Sequence, residues 1–318
     1  MSVNSAGPAP GAADASGERE NVAVRKADLF AYLDGPVGAK RVHDEIAVSD
    51  SLAEPYQGEP AKVPRHIWMY WHDGWENAPE IAKLCLRSWK LRNPTYEVYA
   101  LDQASLPEVL SDPPVHKKAS QLSGFANRVR LRLLRSHGGV WADATLFCTK
   151  PIDPWIHTMI ATSRFFAFAS PAPDRIVATW FLASIPQSPL VEAWERLFSA
   201  YFERIEFDKR RVHAYFVMAY ILEYLLGQHP RLRAVWDEMP KVPLGARSHV
   251  SLIARLKQTG EAQSPALDRE KYAAISNALQ RTNMQKLTWK GAMGERTVAA
   301  EQVLEILRSH LQGPDPVP

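Results

Sequence analysis

One carboxylate stands out in this chain by its surroundings. Val140 to Cys148 is an apolar run bounded by turn residues, the composition of a strand in the middle of a sheet, and Asp143 interrupts it. A lone acid in such a run costs free energy unless a cation or hydrogen bonds satisfy it. Immediately upstream lies a set of cations: Arg128, Arg130, Arg132 and Arg135 fall within eight residues. Arg130 follows Asn127 by three residues, so the two side chains can share one side of a helix. A guanidinium there offers fixed, charged donors to phosphate or sugar oxygens. Two plainer readings compete. Asp143 can be a strand-end acid bonded to backbone amides, and the arginines can form a solvated helix face.

The elements that position these residues follow from spacing. Leu122, Phe125, Ala126, Val129 and Leu133 recur at helical intervals, with Arg128, Arg132 and Arg135 off that stripe. Gly138-Gly139 ends the helix, because glycine takes the left-handed backbone conformation at little steric cost. Upstream, His66 to Trp71 reads as a first strand and Tyr96 to Leu101 as a second. Between them Ile81, Leu84, Cys85, Trp89 and Arg92 give a helix that stops before Asn93-Pro94. This order predicts an α/β layer with a mainly parallel sheet, in which ligands bind at the carboxyl ends of the strands. Trp71, Asp102 and Thr145 all fall at or near such ends.

Phe165 to Ala169 and Ile176 to Ala183 read as two further strands. From Pro189 the pattern turns helical, over Leu190–Ile205, Val212–Leu226, Leu232–Met239, Val250–Lys257, Asp268–Gln280 and Val298–Leu311. No internal repeat or linker divides the chain. The expectation is a single domain over residues 26–312, with an α/β part at 63–185 and a mainly helical part at 186–312. Residues 1–25, rich in Ala, Gly, Pro and Ser, read as a disordered tail, and 313–318 as a second loose end.

The 318 residues, 46% hydrophobic and 23% charged, can bury a substantial core. A net charge of +3 supports a modest preference for anionic ligands and argues against nucleic acid as a partner. Cys85 and Cys148 match no metal spacing and sit in apolar surroundings, as reduced core residues of a cytosolic protein would. The longest apolar stretch, Ala214 to Leu226, is short of the about 20 residues a bilayer span needs.

The wording Gly138-Gly139-Val140-Trp141-Ala142-Asp143-Ala144-Thr145 resembles the sugar-binding core of DXD-type glycosyltransferases related to glycosyltransferase family 32. It is most similar to the capsular polysaccharide synthesis proteins. Val63-Pro64-Arg65-His66-Ile67-Trp68, Cys85 with Ser88-Trp89, and Lys286-Leu287-Thr288-Trp289-Lys290 belong to the same family habit. The resemblance implies a GT-A-like nucleotide-sugar-binding sheet with helical additions in the C-terminal half. It implies transfer of a sugar from a nucleoside-diphosphate donor, a UDP-sugar above all, to a glycan acceptor, with retention of configuration. It also implies polysaccharide assembly in the cytoplasm, with peripheral contact to a membrane or an assembly complex. The competing class is a binding protein on the same fold that has lost turnover.

Residue by residue, the resemblance assigns Asp143 to the metal and the donor. It places Thr145 at the second metal position, where the wider family carries an acid, so a Mn²⁺ or Mg²⁺ site here would be weaker. Arg130 is assigned to donor phosphate or sugar. Asn127 stands where relatives carry an aspartate and is a candidate for sugar recognition. Trp71 takes the base-stacking position, an aromatic face being a sound platform for uracil. In the late segment, which resembles the loop that folds over the donor, Lys286 and Lys290 are candidates for phosphate, Trp289 for covering the sugar, and Asn283 or Gln285 for an additional metal oxygen.

Overall fold

The computed structural model describes residues 26–35, 58–114, 122–205, 216–242, 267–287 and 298–312. Both tails, the helix expected at Val250–Lys257, Trp289 and Lys290 lie outside the described residues. The first strand, β1 (His66–Tyr70), is followed by α1 (Glu80–Arg92) and β2 (Glu97–Leu101). A short helix, α2 (Leu106–Val109), precedes the long α3 (Leu122–His137), which leads directly into β3 (Gly139–Ala142). Then come β4 (Leu146–Cys148), α4 (Asp153–Ile160), β5 (Phe165–Ala172) and β6 (Arg175–Ser184). The later part holds α5 (Pro189–Ile205), α6 (Val217–Gln228), α7 (Pro230–Glu238), α8 (Arg269–Arg281), β7 (Met284–Lys286) and α9 (Val298–Gln312).

The main sheet has the order β2-β1-β3-β6-β5. β1 runs parallel to β2 and β3, whereas β6 is antiparallel to both β3 and β5. The sheet, expected as mainly parallel, is parallel across β2, β1 and β3 and carries an antiparallel hairpin, β6 and β5, on the far side of β3. That hairpin has a local cause: β5 and β6 are linked by a tight turn and pair over most of their length. The architecture is α/β, with helices dominating the C-terminal half.

Val140 to Cys148 does not form one strand, as its composition suggests. It breaks at the turn of residues 143–145, where the Asp143 carbonyl accepts the Leu146 N–H at 2.8 Å. β3 stays in the main sheet, and β4 leaves it to pair antiparallel with β7 in a sheet of their own. In the late segment that holds the candidates Gln285 and Lys286, Met284–Lys286 is thus a strand.

The opposite edge of β4 is held by side chains of α1. The buried Trp89 donates Nε1–H to the Leu146 carbonyl at 2.7 Å, and Ser88 Oγ accepts the Cys148 N–H at 2.8 Å. Just past α1, Asn93 Oδ1 accepts the Ile152 N–H at 2.9 Å. A short buried strand that leaves its sheet must satisfy its backbone elsewhere. These contacts and β7 do so.

α3 ends as its glycines predict: Gly138 and Gly139 have φ of +64° and +88°, and the Gly138 N–H bonds the Leu134 carbonyl at 2.9 Å. A Cβ on Gly139 would lie 2.5 Å from the His66 carbonyl oxygen, so the close approach of β3 to β1 requires glycine there. Trp68, buried at 3% exposure, donates to the Gly138 carbonyl at 2.8 Å and stacks on Tyr99. Both cysteines are reduced and buried, and burial raises both thiols, that of Cys148 to about 12.

Candidate active site

Asp143 lies at the carboxyl end of β3, where its backbone N–H still bonds the Trp180 carbonyl of β6 at 3.0 Å. Its side chain is gripped from three directions. Oδ1 accepts from Arg130 Nη2 at 2.6 Å and from Trp141 Nε1 at 2.9 Å. Oδ2 accepts from Lys286 Nζ at 2.9 Å. Burial alone would push this carboxyl up. The ammonium of Lys286, the guanidinium of Arg130 and the indole N–H of Trp141 outweigh it and hold the carboxyl below its ordinary range. Asp143 is an anion, and its side chain retains 23% exposure.

Arg130 is fixed as firmly as its partner. It projects from the buried side of α3, donates Nη1–H to the Thr179 carbonyl of β6 at 2.6 Å, and lies 4.9 Å from the centre of the Trp141 ring. A planar guanidinium suits this arrangement, since one edge bonds while the face stacks. The neighbouring arginines serve packing. Arg132 and Arg135 converge on Glu195 of α5, which is only 2% exposed, at 3.1 Å and 2.7 Å. Ser199 donates to the same carboxylate at 2.8 Å. The solvated-face reading therefore fails for these two arginines, because they neutralise a buried acid between helices.

Thr145 and Lys286 complete the cluster. Lys286 Nζ donates to Thr145 Oγ1 at 2.7 Å as well as to Asp143. Strand pairing sets this up: Leu146 faces Lys286 across β4 and β7, and the Leu287 N–H donates to the Thr145 carbonyl at 2.7 Å. Asp143, Arg130, Thr145 and Lys286, all singled out in the sequence, thus meet in one place. Gln285 does not join them. Successive strand side chains point to opposite faces, and its amide donates instead to Thr282 Oγ1 at 2.6 Å.

Trp71 follows β1 directly, half-buried, with its N–H on the Leu101 carbonyl at 2.9 Å. Asp102, also at a strand end, closes a local turn by accepting from the Ser105 N–H at 2.8 Å and Oγ at 3.0 Å. Asn127 is half-buried on α3, one turn before Arg130. Trp141 was the residue that sequence reasoning missed. Its position two residues before Asp143 was a usable signal, since alternate strand residues share a face.

As a divalent-metal site the donor set does not fit as it stands. Among the described residues no three His, Cys, Asp or Glu side chains come together to hold a metal. Among the described residues Asp143 is the single carboxylate of this cluster, and the Lys286 ammonium already spans Asp143 Oδ2 and Thr145 Oγ1. With Arg130 also bound, Asp143, Arg130 and Lys286 carry a combined charge of about +1, which suits an arriving anion better than a further cation.

A family model described as capsular polysaccharide synthesis protein matches residues 39–303. The chain belongs to that family. It is 26% identical over 160 residues to the O-glycosyltransferase PaGT of Phomopsis amygdali, covering 44% of this chain and 39% of that protein. It is 25% identical over 207 residues to inositol phosphoceramide mannosyltransferase 1 of Schizosaccharomyces pombe, covering 59% of this chain and 60% of that one. The chain therefore spans about two fifths to three fifths of the length of these relatives. Among solved structures, the PaToxG glycosyltransferase aligns with 83% of this chain and 99% of its own, at 15% identity and a TM-score of 0.37. The protein is glycosyltransferase-like by family and by relatives.

Proposed function

We propose that this capsular polysaccharide synthesis protein is a glycosyltransferase related to family 32. It takes a nucleoside-diphosphate sugar, a UDP-sugar in the first instance, and delivers the sugar with retention to a growing cell-surface glycan. One observation carries the reading: the Asp143 carboxylate held between Arg130 and Lys286 at the carboxyl end of β3. Breaking the bond between sugar and diphosphate leaves negative charge on the phosphate, and preplaced cations stabilise that charge most as it develops. Arg130 and Lys286 supply them. Asp143 orients both and leaves oxygen lone pairs for hydroxyls of ribose or sugar. Trp71, at the end of β1, offers its face to the base. Asn127 and, outside the described residues, Trp289 are assigned to the sugar.

Family membership supports a glycan acceptor and work at the cytosolic face of a membrane. The attachment proposed there is peripheral; no helix among the described residues is long and apolar enough to cross a membrane. Incubation of the purified chain with a panel of labelled nucleotide sugars tests the reading. Release of nucleoside diphosphate from one donor, and its loss in Asp143→Asn, is the expected result. Tight nucleotide-sugar binding without release under any condition would instead establish a binding protein on this fold.

A further inference from the structure

The position of Lys286 has a consequence for how a diphosphate is held. We infer that the Lys286 ammonium takes the place of a divalent cation between Asp143 and Thr145, so that the site binds a diphosphate without metal. The inference rests on the nucleoside-diphosphate reading above for the identity of the ligand.

Three observations converge on it. The first is geometric. Nζ lies 2.9 Å from Asp143 Oδ2 and 2.7 Å from Thr145 Oγ1, bridging the two oxygens that a metal at this turn would share. The second is the way the lysine is placed. Its backbone is locked by pairing with β4, through Leu146 opposite Lys286 and the Leu287 N–H on the Thr145 carbonyl at 2.7 Å. The ammonium is therefore delivered by strand register as well as by a flexible stem. The third is charge. Two carboxylates with a divalent ion sum to zero, and so do one carboxylate, one threonine hydroxyl and one ammonium. The neutral Thr145 and the cationic Lys286 compensate each other. A divalent ion added to the present cluster would face Arg130 and Lys286 with only Asp143 to offset them.

The ammonium can do what the inference asks. It carries three N–H donors, and Asp143 and Thr145 take two of them, which leaves the third for a phosphate oxygen. No proton or bond need change for it to act, since it stabilises charge on the departing phosphate by attraction and hydrogen bonding.

The test uses the full chain, with UDP binding measured by titration calorimetry in EDTA and in millimolar Mn²⁺. The expected result is wild-type affinity equal in the two buffers. Lys286→Met should lose about tenfold or more of that affinity in EDTA, and Lys286→Arg should keep most of it. Thermal melts confirm folding of each variant, and the arginine variant carries the test if the methionine variant does not fold. A wild-type affinity that rises about tenfold with Mn²⁺, with the gain lost in Asp143→Asn, overturns the inference. A failure of wild type to bind UDP in either buffer would count against the donor reading. Inorganic pyrophosphate in EDTA then decides the present one: binding that Lys286→Met loses sustains it, and no binding, or an Asp143-dependent Mn²⁺ site seen by electron paramagnetic resonance, overturns it.

Discussion

The ammonium of Lys286 lies 2.9 Å from the carboxylate of Asp143, although 143 positions of chain separate them. The contact follows from two short strands, β4 and β7, whose register sets Lys286 opposite Leu146, three residues past Asp143. An acid that interrupts an apolar run is thereby paired with a cation from the far end of the chain. Its other cation, Arg130, comes from the helix just before it.

Asp143→Asn should abolish sugar transfer while leaving the chain folded, since the amide keeps the shape of the carboxylate and loses its charge. Asp143→Ala should do the same with a larger loss of stability. Initial rates and thermal melts on both purified variants check this, and wild-type turnover in either would remove Asp143 from the site.

The same residue gives a pH prediction. Its carboxyl is held below the ordinary value of about 3.9, so its stabilising contribution is complete above that value and is lost as pH falls through the folded-state value. The stability gap between wild type and Asp143→Asn should then be constant at neutral pH and shrink below about pH 4. Denaturant melts across an acid series measure it. A gap that widens on acidification would contradict the direction assigned to this group.

Arg130→Lys and Arg132→Lys should separate activity from stability. Arg130 bonds Asp143 and the Thr179 carbonyl while lying over Trp141, a combination that a single ammonium cannot reproduce. Its replacement should cut transfer sharply. Arg132 is bound to the buried Glu195, so its replacement should lower the melting temperature and leave the rate constant of folded enzyme near wild type. Equal rates in the two variants would take Arg130 out of the chemistry.

Trp71→Ala should weaken UDP and UDP-sugar by the same factor, because the proposed contact is to the base. Base–aromatic stacking is worth about 1–3 kcal/mol, or about fivefold to 150-fold in affinity. Undiminished UDP binding in the folded variant would place Trp71 outside the pocket.

Asn127→Asp should reorder donors. Asparagine both donates and accepts, whereas aspartate only accepts, so a sugar group paired with the amide N–H would be mispaired in the variant. The shift between two donors should be about 1–3 kcal/mol, the cost of mispairing one buried polar group. An unchanged ranking across a donor panel would take Asn127 out of sugar recognition. Inert wild type with an active variant would favour a site whose turnover had been lost.

The sequence by itself determined the local elements and one half of the site. Helical spacing gave α3, Gly138-Gly139 gave its end, and the lone acid in an apolar run pointed to Asp143 and to the need for a cation near it. These signals are short in range, since they depend on backbone preferences and on the cost of burying one charge. Which cation answers Asp143 could not be read locally. Composition made Val140–Cys148 one strand, and only the turn at 143–145 and the side chains of Ser88 and Trp89 show why it breaks. Likewise Arg132 and Arg135 looked like a solvated face until Glu195 packed against them. Lys286 was legible as a phosphate candidate, but its place between Asp143 and Thr145 depends on pairing between strands more than a hundred residues apart, and tertiary structure alone decides that register.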